Sequence, residues 1–537
     1  MTDSRLPSRD DCVLHAMLER RAAERPDDVF VQFDSGAEWS YAQTRHEGRQ
    51  AAAALARLGV ARGDAVIVWL PNGPEILRLS LGLSYLGAVF VPINLALRGT
   101  VLEHIVGNSG ARFIIAHRDL IERLASIRLG ALETIVVVGA KESAPLPLRM
   151  HGETALRSAD DAFPMPDPPI EPWDVHAIFY TSGTTGPSKG VLCPHVLTWN
   201  TGVQSFHFLS SRDRFLVNLP YFHIAGAMAA YIALHHGGSM AMMGEFRTAE
   251  FWDKVRRTRS TTCLLLGSIA SFLMKQPARA DDRDHPMRTV VQQPLVHETP
   301  EFARRFDVTI YTQIDMTEMG PAVRSEALSS DRPMAQGYCG RVRPGMHARV
   351  VDAFDREVPP GEAGELVARS DVPWLITPGY HRMPEATAKA WRNGWFHTGD
   401  AVRREADGSF YFVDRIKDAI RRRGENISSA EVEAEVLAYD AVEAAAAVAA
   451  ASEHGEDEVL VAIQPKPGAT IDPAALLRFL IPRMPHFMVP RYVRVMAALP
   501  RTETGKAQKS ALRADGVTPD TWDREKAGIV VKRQTIG

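Results

Sequence analysis

Cysteine is scarce in this chain, and the few cysteines stand far apart. Only four occur among 537 residues, with no paired Cys-x-x-Cys spacing: Cys12, Cys193, Cys263 and Cys339. No companion histidines stand at the spacing of a metal site, so the pattern excludes a zinc-stabilised fold as well as a disulfide framework. This usage predicts a reducing, cytoplasmic compartment.

An excess of charge of one sign is also missing. The chain has 62 Lys and Arg against 65 Asp and Glu, a formal net charge of −3. It therefore lacks the net positive charge that attracts nucleic acid or an anionic membrane. The most apolar stretch, residues 79–97, is interrupted by Gly82, Gly87, Pro92 and Asn94, and the N-terminus is charged where a signal peptide is apolar. We therefore expect no nucleic-acid partner and no membrane span, and any phosphate must be held locally.

The chain does contain a regular alternation of helical and strand patterns. From about residue 14 to residue 269, amphipathic helices alternate with short apolar strands, which predicts α/β layers with parallel sheets. Near His347, short strands closed by turns predict a β-rich subdomain. We place a domain boundary at Arg415 to Asp418. The predicted organisation is a large N-terminal domain of layered α/β subdomains plus the β-rich subdomain (1–415), a small mobile α+β C-terminal domain (416–521) and a tail (522–537).

A dense cluster of Ser, Thr and Gly follows one of the apolar strand patterns and ends in Lys189. The segment 177–191 is AIFYTSGTTGPSKGV. Its glycines admit close approach of the backbone, and its hydroxyls, amides and one ammonium can surround a polyphosphate. A Walker loop is excluded because Ser188 stands where that motif requires glycine, and Gly190 where it requires Ser or Thr. The composition alone also fits a flexible surface loop.

This loop resembles the phosphate loop of the adenylate-forming superfamily, which includes acyl-CoA synthetases, adenylation domains and beetle luciferases. Five more segments resemble the other motifs of that superfamily in their usual order: LPYFHIAG at 219–226, MTE at 316–318, GWFHTGD at 394–400, YFVDRIKDAIRRRGENIS at 411–428 and PRTETGKAQKSALR at 500–513. The segments at 394–400 and 411–428 are most similar to carnitine/crotonobetaine and medium-chain acyl-CoA ligases. The resemblance covers nearly the whole chain.

The resemblance implies a reaction in two halves: a carboxylate attacks the α-phosphate of ATP and pyrophosphate leaves, and a thiol then displaces AMP from the acyl adenylate. The phosphate loop of the family holds the β- and γ-phosphates. Its matching residues are Thr181, Ser182, Gly183, Thr184, Thr185, Gly186 and Lys189. Glu318 matches a carboxylate associated with Mg²⁺, which prefers hard oxygen ligands, and Thr317 lies beside it near the α-phosphate. The implied cofactors are ATP, Mg²⁺ and CoA as co-substrate.

Other matched positions imply nucleotide contacts and a moving C-terminal domain. Asp400 matches the residue that accepts hydrogen bonds from the ribose hydroxyls, and Arg415 matches a cation that contacts the nucleotide. Lys506 matches the catalytic lysine, which reaches the site only in the adenylating orientation and stabilises developing charge. Lys417 falls at the hinge about which the family rotates this domain.

The resemblance also assigns residues to the thiol half-reaction. Gly424 would let the pantetheine arm of CoA pass close to the backbone. The cations at 421–423 could meet the CoA phosphates, although three successive arginines fit a solvated turn equally well. His223 matches a wall residue between the acyl pocket and the thiol tunnel, and a core histidine is the alternative.

Two segments depart from the family pattern. The adenine cradle, usually similar to Gly-Gly-Ala-Pro, corresponds to Val-Gln-Gln-Pro-Leu at 291–295, and the usual Tyr-Gly ahead of MTE is Ile-Asp at 314–315. Adenine stacking should be weaker, and a carboxylate is placed beside the acyl adenylate. Asp315 either points outward into solvent or recognises an amino, quaternary ammonium or hydroxyl group of the acid. In the second case it acts with Gln292, Gln293 and Gln313.

The leading prediction is an ATP-dependent, AMP-forming acid–CoA ligase. An adenylating enzyme that passes the acid to an amine or a carrier-protein thiol is the alternative, and nitrite activation on an aromatic amine stays open. A nucleotide-binding protein without catalysis is disfavoured because these residues are retained: Lys189, Glu318, Asp400, Arg415 and Lys506. The expected partner is a small carboxylic acid, with aromatic and amino-bearing acids included. A homodimer and a separate carrier protein are left open.

Overall fold

The structure is a computed structural model of the chain. It describes residues 4–139, 146–181, 187–328, 335, 337–415, 419–422, 425–452, 456–500 and 507–531. Its secondary structure divides into an N-terminal part, which ends with a strand at Arg415, and a C-terminal part, which begins with a strand at Ala419.

The N-terminal part begins with alternating helices and strands. The helices are α1 (Arg9–Cys12), α2 (Leu14–Glu24), α3 (Tyr41–Arg57), α4 (Pro74–Leu86), α5 (Gly99–Ser109), α6 (His195–Ser205), α7 (Ile224–His236), α8 (Phe251–Thr258), α9 (Gly267–Met274) and α10 (Thr299–Phe306). Short 3-10 helices lie at Arg118–Ser126, Glu153–Leu156 and Thr248–Glu250. The strands are β1 (Val29–Phe33), β2 (Glu38–Ser40), β3 (Ala65–Trp69), β4 (Val89–Pro92), β5 (Phe113–His117), β6 (Thr134–Val138), β7 (Arg149–Gly152), β8 (Val175–Thr181), β9 (Lys189–Pro194), β10 (Arg214–Val217), β11 (Ser239–Met242), β12 (Thr262–Leu266), β13 (Thr289–Gln293), β14 (Thr309–Tyr311), β15 (Gln313–Ile314) and β16 (Val323–Arg324).

Strands β1 to β14 form two sheets that are parallel except at one edge. The first sheet has the order β7-β6-β5-β3-β4-β8-β9, and the second has the order β14-β13-β12-β10-β11-β1-β2. The edge pairs β8–β9 and β1–β2 are antiparallel, whereas the inner neighbours pair in parallel. Helices cover these sheets, so the strands can be apolar along their whole length, as in the buried Val66–Trp69 of β3.

Local sequence explains where the helices that cover the sheets begin and how closely they pack. The Ser40 hydroxyl accepts a hydrogen bond from the Gln43 N–H at the start of α3. Pro74 occupies the first turn of α4, where its missing N–H would have no hydrogen-bond partner within the helix. Gly82 of α4 lies against α3, and a Cβ there would lie 2.8 Å from the Cβ of Ala51. The contact between α3 and α4 therefore requires glycine at this position.

The predicted β-rich subdomain is an antiparallel sheet. Its elements are β17 (Tyr338–Val342), β18 (Met346–Val351), β19 (Ala363–Ser370), α11 (Pro384–Ala390), β20 (Trp391–Arg392), β21 (Trp395–Arg404) and β22 (Phe410–Arg415). Together with β15 and β16 they run in the order β15-β16-β17-β22-β21-β19-β18, and β20 pairs with β21. Because β15 directly follows β14 along the chain, this sheet begins beside the carboxyl ends of the second parallel sheet.

The C-terminal part consists of a hairpin, a small sheet and three helices among its described residues. Its elements are β23 (Ala419–Arg422), β24 (Glu425–Ser428), α12 (Ser429–Leu437), β25 (Val442–Ala451), β26 (Asp457–Pro465), α13 (Pro473–Leu480), β27 (Tyr492–Val495), α14 (Lys509–Asp515) and β28 (Trp522–Asp523). The sheet order is β25-β26-β27-β28. Strand β28 pairs with β27, so the sheet extends into the first residues of the segment that the sequence assigns to a tail.

One cluster of buried apolar side chains crosses between the two parts. It contains Ile67 and Ile178 of the first parallel sheet together with Ile420, Ile427 and Val459 of the C-terminal part. The predicted α/β class with a separate C-terminal domain is confirmed. The chain passes between the two parts within residues 416–418, which include Lys417 and lie outside the described residues, so the hinge stays a prediction.

Candidate active site

The predicted phosphate loop joins the two antiparallel strands β8 and β9. Thr181 pairs with Lys189 at the open end of this ladder, and Tyr180 pairs with Gly190. The loop therefore leaves the sheet at Thr181 and returns at Lys189. Its central residues lie outside the described residues, and their assigned contacts remain predictions; these are Ser182, Gly183, Thr184, Thr185 and Gly186.

Tyr380 connects two of the predicted catalytic residues. The Lys189 ammonium lies 4.7 Å from the centroid of the Tyr380 ring, within the range of a cation–π contact. The Tyr380 hydroxyl donates a hydrogen bond of 3.0 Å to Oε1 of Glu318. Burial and the neighbouring Glu318 carboxylate raise the pKa of Tyr380, so the phenol stays protonated and keeps donating. The side chains of the phosphate-loop lysine and the MTE glutamate thus meet at one aromatic ring.

Backbone pairing explains how Tyr380 reaches this position. Tyr380 forms an antiparallel bridge with Val191 of β9, and the His381 N–H donates to the Gly190 carbonyl at 2.7 Å. On the other side, the Thr377 N–H donates to the Glu318 carbonyl at 2.6 Å. The segment around Tyr380 is therefore held between β9 and the turn that carries Glu318. The motif analysis did not identify Tyr380, and the Pro-Gly pair just before it was the available signal of a structured turn.

Glu318 is the described residue best suited to a hard cation. It is only 6% exposed, and a buried carboxylate needs partners that compensate its charge. No group of three or more His, Cys, Asp and Glu side chains that could hold a metal is found in the part of the chain that the structure describes. Thr317 lies next to Glu318 and is partly buried. This donor set fits a Mg²⁺ ion that takes one protein carboxylate and completes its shell with phosphate oxygens and water.

The two residues matched to nucleotide contacts are direct neighbours across a ladder. Asp400 of β21 pairs with Arg415 of β22. Asp400 is buried, and its backbone N–H donates to the Thr398 hydroxyl at 3.1 Å. The preceding Gly399 has a φ of +74°, and its N–H donates to Glu365. The tight backbone turn before Asp400 thus fixes the position of this carboxylate.

The C-terminal hairpin reaches the predicted wall residue. Glu425, at the start of β24, has its Oε2 3.5 Å from Nε2 of His223, the residue before α7, and its Oε1 accepts a hydrogen bond from Asn94 at 3.0 Å. Burial opposes ionisation of Glu425, but His223 and Asn94 outweigh it and lower the pKa of this carboxyl. His223 is therefore at a contact between the two parts. The neighbouring Gly424 lies outside the described residues.

One arginine of this hairpin, Arg422, faces the interior of the C-terminal part. Arg422 is buried in the C-terminal part, where its Nε lies 2.7 Å from Glu458 and its guanidinium donates to the carbonyls of Phe487 and Val489. Arg422 therefore holds the C-terminal part together and is not available for the phosphates of CoA.

Asp315 lies directly after β15 and next to Gln313. The Gln313 amide donates to the Ser205 hydroxyl at 2.9 Å and to Oδ2 of Asp315 at 3.3 Å. Burial raises the pKa of Asp315 to about 7, with Glu318 adding to the rise while the Met316 N–H and Arg343 oppose it. Oδ1 is buried and accepts no hydrogen bond from the described residues. Asp315 as a whole is partly buried, and its Oδ1 is the oxygen that is out of solvent.

The two glutamines of β13 point to opposite sides of their strand. Gln292 is fully buried and donates to the Thr299 hydroxyl of α10, whereas Gln293 shares its face with Val291, whose cluster includes Ile314. The structure thus pairs Gln313 with Asp315, whereas Gln292 pairs with Thr299. Oε1 of Gln293 is also buried without a partner among the described residues.

Two protein-family models match most of the chain. Residues 18–381 match the AMP-binding enzyme family, and residues 431–506 match the C-terminal domain of AMP-binding enzymes. Within the described residues, no helix is long and apolar enough to cross a membrane.

Curated relatives align over most of their length. A sulfoacetate–CoA ligase from Cupriavidus necator is 31% identical over 508 residues, covering 93% of this chain and 97% of that protein. A crotonobetaine/carnitine–CoA ligase from Salmonella heidelberg is 30% identical over 485 residues, covering 89% of this chain and 93% of that protein.

Solved structures share the fold at lower identity. An o-succinylbenzoate CoA synthetase from Bacillus subtilis, bound to a product analogue, superposes with a TM-score of 0.81 at 20% identity and covers 94% of this chain and 99% of its own. An amide bond synthetase from Marinactinospora thermotolerans has a TM-score of 0.78 at 23% identity. The match covers 93% of this chain and 99% of the synthetase.

Proposed function

The chain belongs to the AMP-binding enzyme family, as the sequence motifs predicted, and we propose that it is an ATP-dependent ligase that activates a carboxylic acid as an acyl adenylate and transfers the acyl group to CoA. The observation that carries this proposal is the meeting of Lys189 and Glu318 at Tyr380. A cation and a buried carboxylate at one end of a phosphate loop suit the transfer of a nucleotidyl group from Mg²⁺-bound ATP. The CoA ligase names of both curated relatives support the second half-reaction.

In the first half-reaction, the loop from Thr181 to Lys189 binds the β- and γ-phosphates. Glu318 would hold Mg²⁺, which supplies neutralisation of the phosphate charge when it is bound. Thr317 contacts the α-phosphate region, and Asp400 and Arg415 bind the ribose and the nucleotide. The short distance from Lys189 to Tyr380 orients the ammonium, and the Tyr380 hydrogen bond orients Glu318.

In the second half-reaction, the C-terminal part presents its hairpin to the acyl adenylate. Glu425 lies beside the side chain of His223, and we propose that the thiol enters next to this contact. Gly424 lets pantetheine pass, and Lys417 allows the C-terminal part to change orientation between the half-reactions. The cytoplasm, where ATP and CoA are available, is the compartment that fits this reaction.

Pyrophosphate and AMP release across a panel of carboxylates, each with and without CoA, tests the proposal. The ligase predicts that one class of acids gives AMP and a thioester only when CoA is present. Pyrophosphate release with an acid, without any increase in AMP release or any thioester when CoA is added, would point instead to an amine or a carrier-protein thiol as the acceptor. Absence of ATP turnover with every acid, with or without CoA, would refute both.

We further propose that the acid carries a group that donates hydrogen bonds or a positive charge. Oδ1 of Asp315 and Oε1 of Gln293 are buried acceptors without partners among the described residues, and leaving such acceptors unpaired costs free energy. A substrate amino group that reaches Asp315 would pair with its Oδ1 and offset the burial of this carboxylate. An anionic group such as a sulfonate would instead be repelled.

Kinetics with matched acids test this recognition. We expect 4-aminobutanoate to exceed its isostere pentanoate in kcat/KM by about 10²-fold or more, because the apolar acid leaves buried acceptors unpaired. Asp315→Gly should reduce this ratio by at least about tenfold. Since the pKa of Asp315 is about 7, its carboxyl ionises as the pH rises, so the preference should grow from about pH 6 to about pH 8.

Asp307→Gly is the matched control, because Asp307 is exposed, lies at the end of α10 and has a φ of 51° that glycine tolerates. It should leave the ratio unchanged. A wild-type preference for pentanoate, or an equal ratio in wild type and Asp315→Gly, would contradict the recognition of an amino group.

A further inference from the structure

An open cavity lies on the outer face of the antiparallel sheet. Its volume is about 250 Å³. Strands β18, β19 and β21 contribute most of its lining, and β19 lies between the other two. The charged and aromatic side chains of the lining are His347, Arg349, Glu357, Arg369, Trp395 and Arg404. Three arginines therefore line the cavity against one glutamate.

The alternation of the strands explains why these side chains face outward. Ala368 of β19 pairs with Phe396 of β21, and both belong to the buried core. Side chains alternate along a strand, so the flanking Arg369 and Trp395 point to the opposite face. Arg349 likewise precedes a core residue on β18. The cavity is thus built on side chains that regular strands position.

Two arginines contact the same aromatic ring. The guanidinium carbon of Arg349 lies 4.6 Å from the centroid of the Trp395 ring and that of Arg369 lies 4.8 Å from it, within the range of cation–π contacts. Glu357 pairs with Arg404 at 2.8 Å and lies 3.9 Å from Arg349. Arg369 forms no hydrogen bond or ion pair with a residue that the structure describes. A ring contact does not use the N–H donors of a guanidinium, so those of Arg369 remain available to a ligand.

We propose that this cavity binds a small organic dianion, a short dicarboxylate or a phosphomonoester, at the guanidinium groups of Arg349 and Arg369. Guanidinium groups bind carboxylate and phosphate oxygens through paired N–H donors. The anion would also compensate the positive charge that Glu357 leaves unbalanced among the three arginines. The volume is below the roughly 300–1,000 Å³ of sites that take drug-sized ligands, which favours a ligand of few carbons over a nucleotide.

The cavity is separate from the predicted nucleotide contacts. Trp395 begins β21, and Asp400 lies five residues further along the same strand. An extended strand rises about 3.4 Å per residue, so the two residues are about 17 Å apart. A ligand of few carbons at Trp395 does not span this distance. The inference therefore goes beyond the proposed function and does not depend on it.

Calorimetric titration of the full-length protein with succinate and, separately, with glycerol 3-phosphate tests the site. We expect at least one of these probes to bind, and the one that binds more tightly identifies the anionic group. Arg369→Gln and Arg349→Gln should each weaken its binding about tenfold or more, because a charge-assisted contact is lost. Arg341→Gln is the matched control, since Arg341 is exposed on β17 and pairs with Asp407 outside the lining. It should bind the probe like wild type.

Fluorescence locates the bound probe. Trp395 is one of nine tryptophans, so its contribution is the difference between wild type and Trp395→Phe. Phenylalanine keeps an aromatic face for both arginines, so the variant should bind within about threefold of wild type but lose the change in emission that the probe causes.

Four results would overturn the site. The first is no saturable binding of either probe at about 10 mM. The second is wild-type affinity in both Arg369→Gln and Arg349→Gln, and the third is an equal loss in Arg341→Gln. The fourth is a change in emission that persists in Trp395→Phe, because the probe would then bind beside another tryptophan.

Discussion

Replacing Glu318 with glutamine is expected to slow adenylate formation about 10²–10³-fold, because a preorganised charge at the reacting phosphates is lost. The substitution keeps the size of the side chain and an oxygen that accepts the Tyr380 hydrogen bond. The fold should therefore persist, and the melting temperature should stay close to that of wild type. Rates of pyrophosphate release at several Mg²⁺ concentrations measure the effect, and the variant should need more Mg²⁺ for its half-maximal rate.

Two further variants separate charge from orientation at this position. Tyr380→Phe keeps the Glu318 charge and the ring beneath Lys189 but removes the hydrogen bond, so we expect a loss of about tenfold, as for other groups that orient metal ligands. Glu326→Gln makes the same chemical change at an exposed position and should have no effect. A Glu318→Gln variant with the wild-type rate and Mg²⁺ requirement would remove Glu318 from the phosphate chemistry.

The short-range features of the site could be predicted from the sequence. Thr181 and Lys189 flank a loop, and Asp400 closes a turn, because residues within one motif are positioned by their immediate neighbours. Tyr380 could not be predicted in the same way. It reaches Lys189 through backbone pairing with Val191, which lies 189 residues earlier in the chain, and no local pattern encodes such a pairing.

The faces of the strands show the same division between local and tertiary information. Alternation along β13 implies that Gln292 and Gln293 point to opposite sides. Only the tertiary structure shows that Gln292 faces α10 and that Val291, which shares its side of the strand with Gln293, belongs to the cluster with Ile314. The prediction that both glutamines act with Asp315 requires them on one side of the strand, and for Gln293 it stays a prediction.

Sheet membership is the part of the fold that the sequence left undetermined. Alternating helices and strands predicted α/β layers, and these layers are present. The alternation does not predict that β1, near the N-terminus, pairs with β11 at Ser239–Met242 in the second sheet. Similarly, the cap at Ser428 could be read from the sequence, but the meeting of Glu431 with Ser188 depends on how the two parts dock.

Lys506→Ala is expected to separate the two half-reactions more strongly than any other substitution. The prediction rests on the match of Lys506 to the catalytic lysine of the family, since this residue lies outside the described residues. A lysine that stabilises charge on the attacking carboxylate and the α-phosphate contributes only while adenylate forms. Adenylation should fall about 10²–10³-fold, while thioester formation from supplied acyl-AMP and CoA should change by less than about threefold.

Lys509→Ala is the control for the loss of a cation in the same segment. The Lys509 ammonium donates a hydrogen bond to the Ser429 hydroxyl and forms an ion pair with Glu433, and both partners belong to the C-terminal part. Its loss should lower stability and affect both half-reactions to a similar extent. The thioester step is expected to survive Lys506→Ala because the described contacts between the two parts include those of Glu425 with His223 and of Glu431 with Ser188. An equal loss in both half-reactions would mean that Lys506 serves the fold of the C-terminal part or a step common to both, and the assigned role would have to be given up.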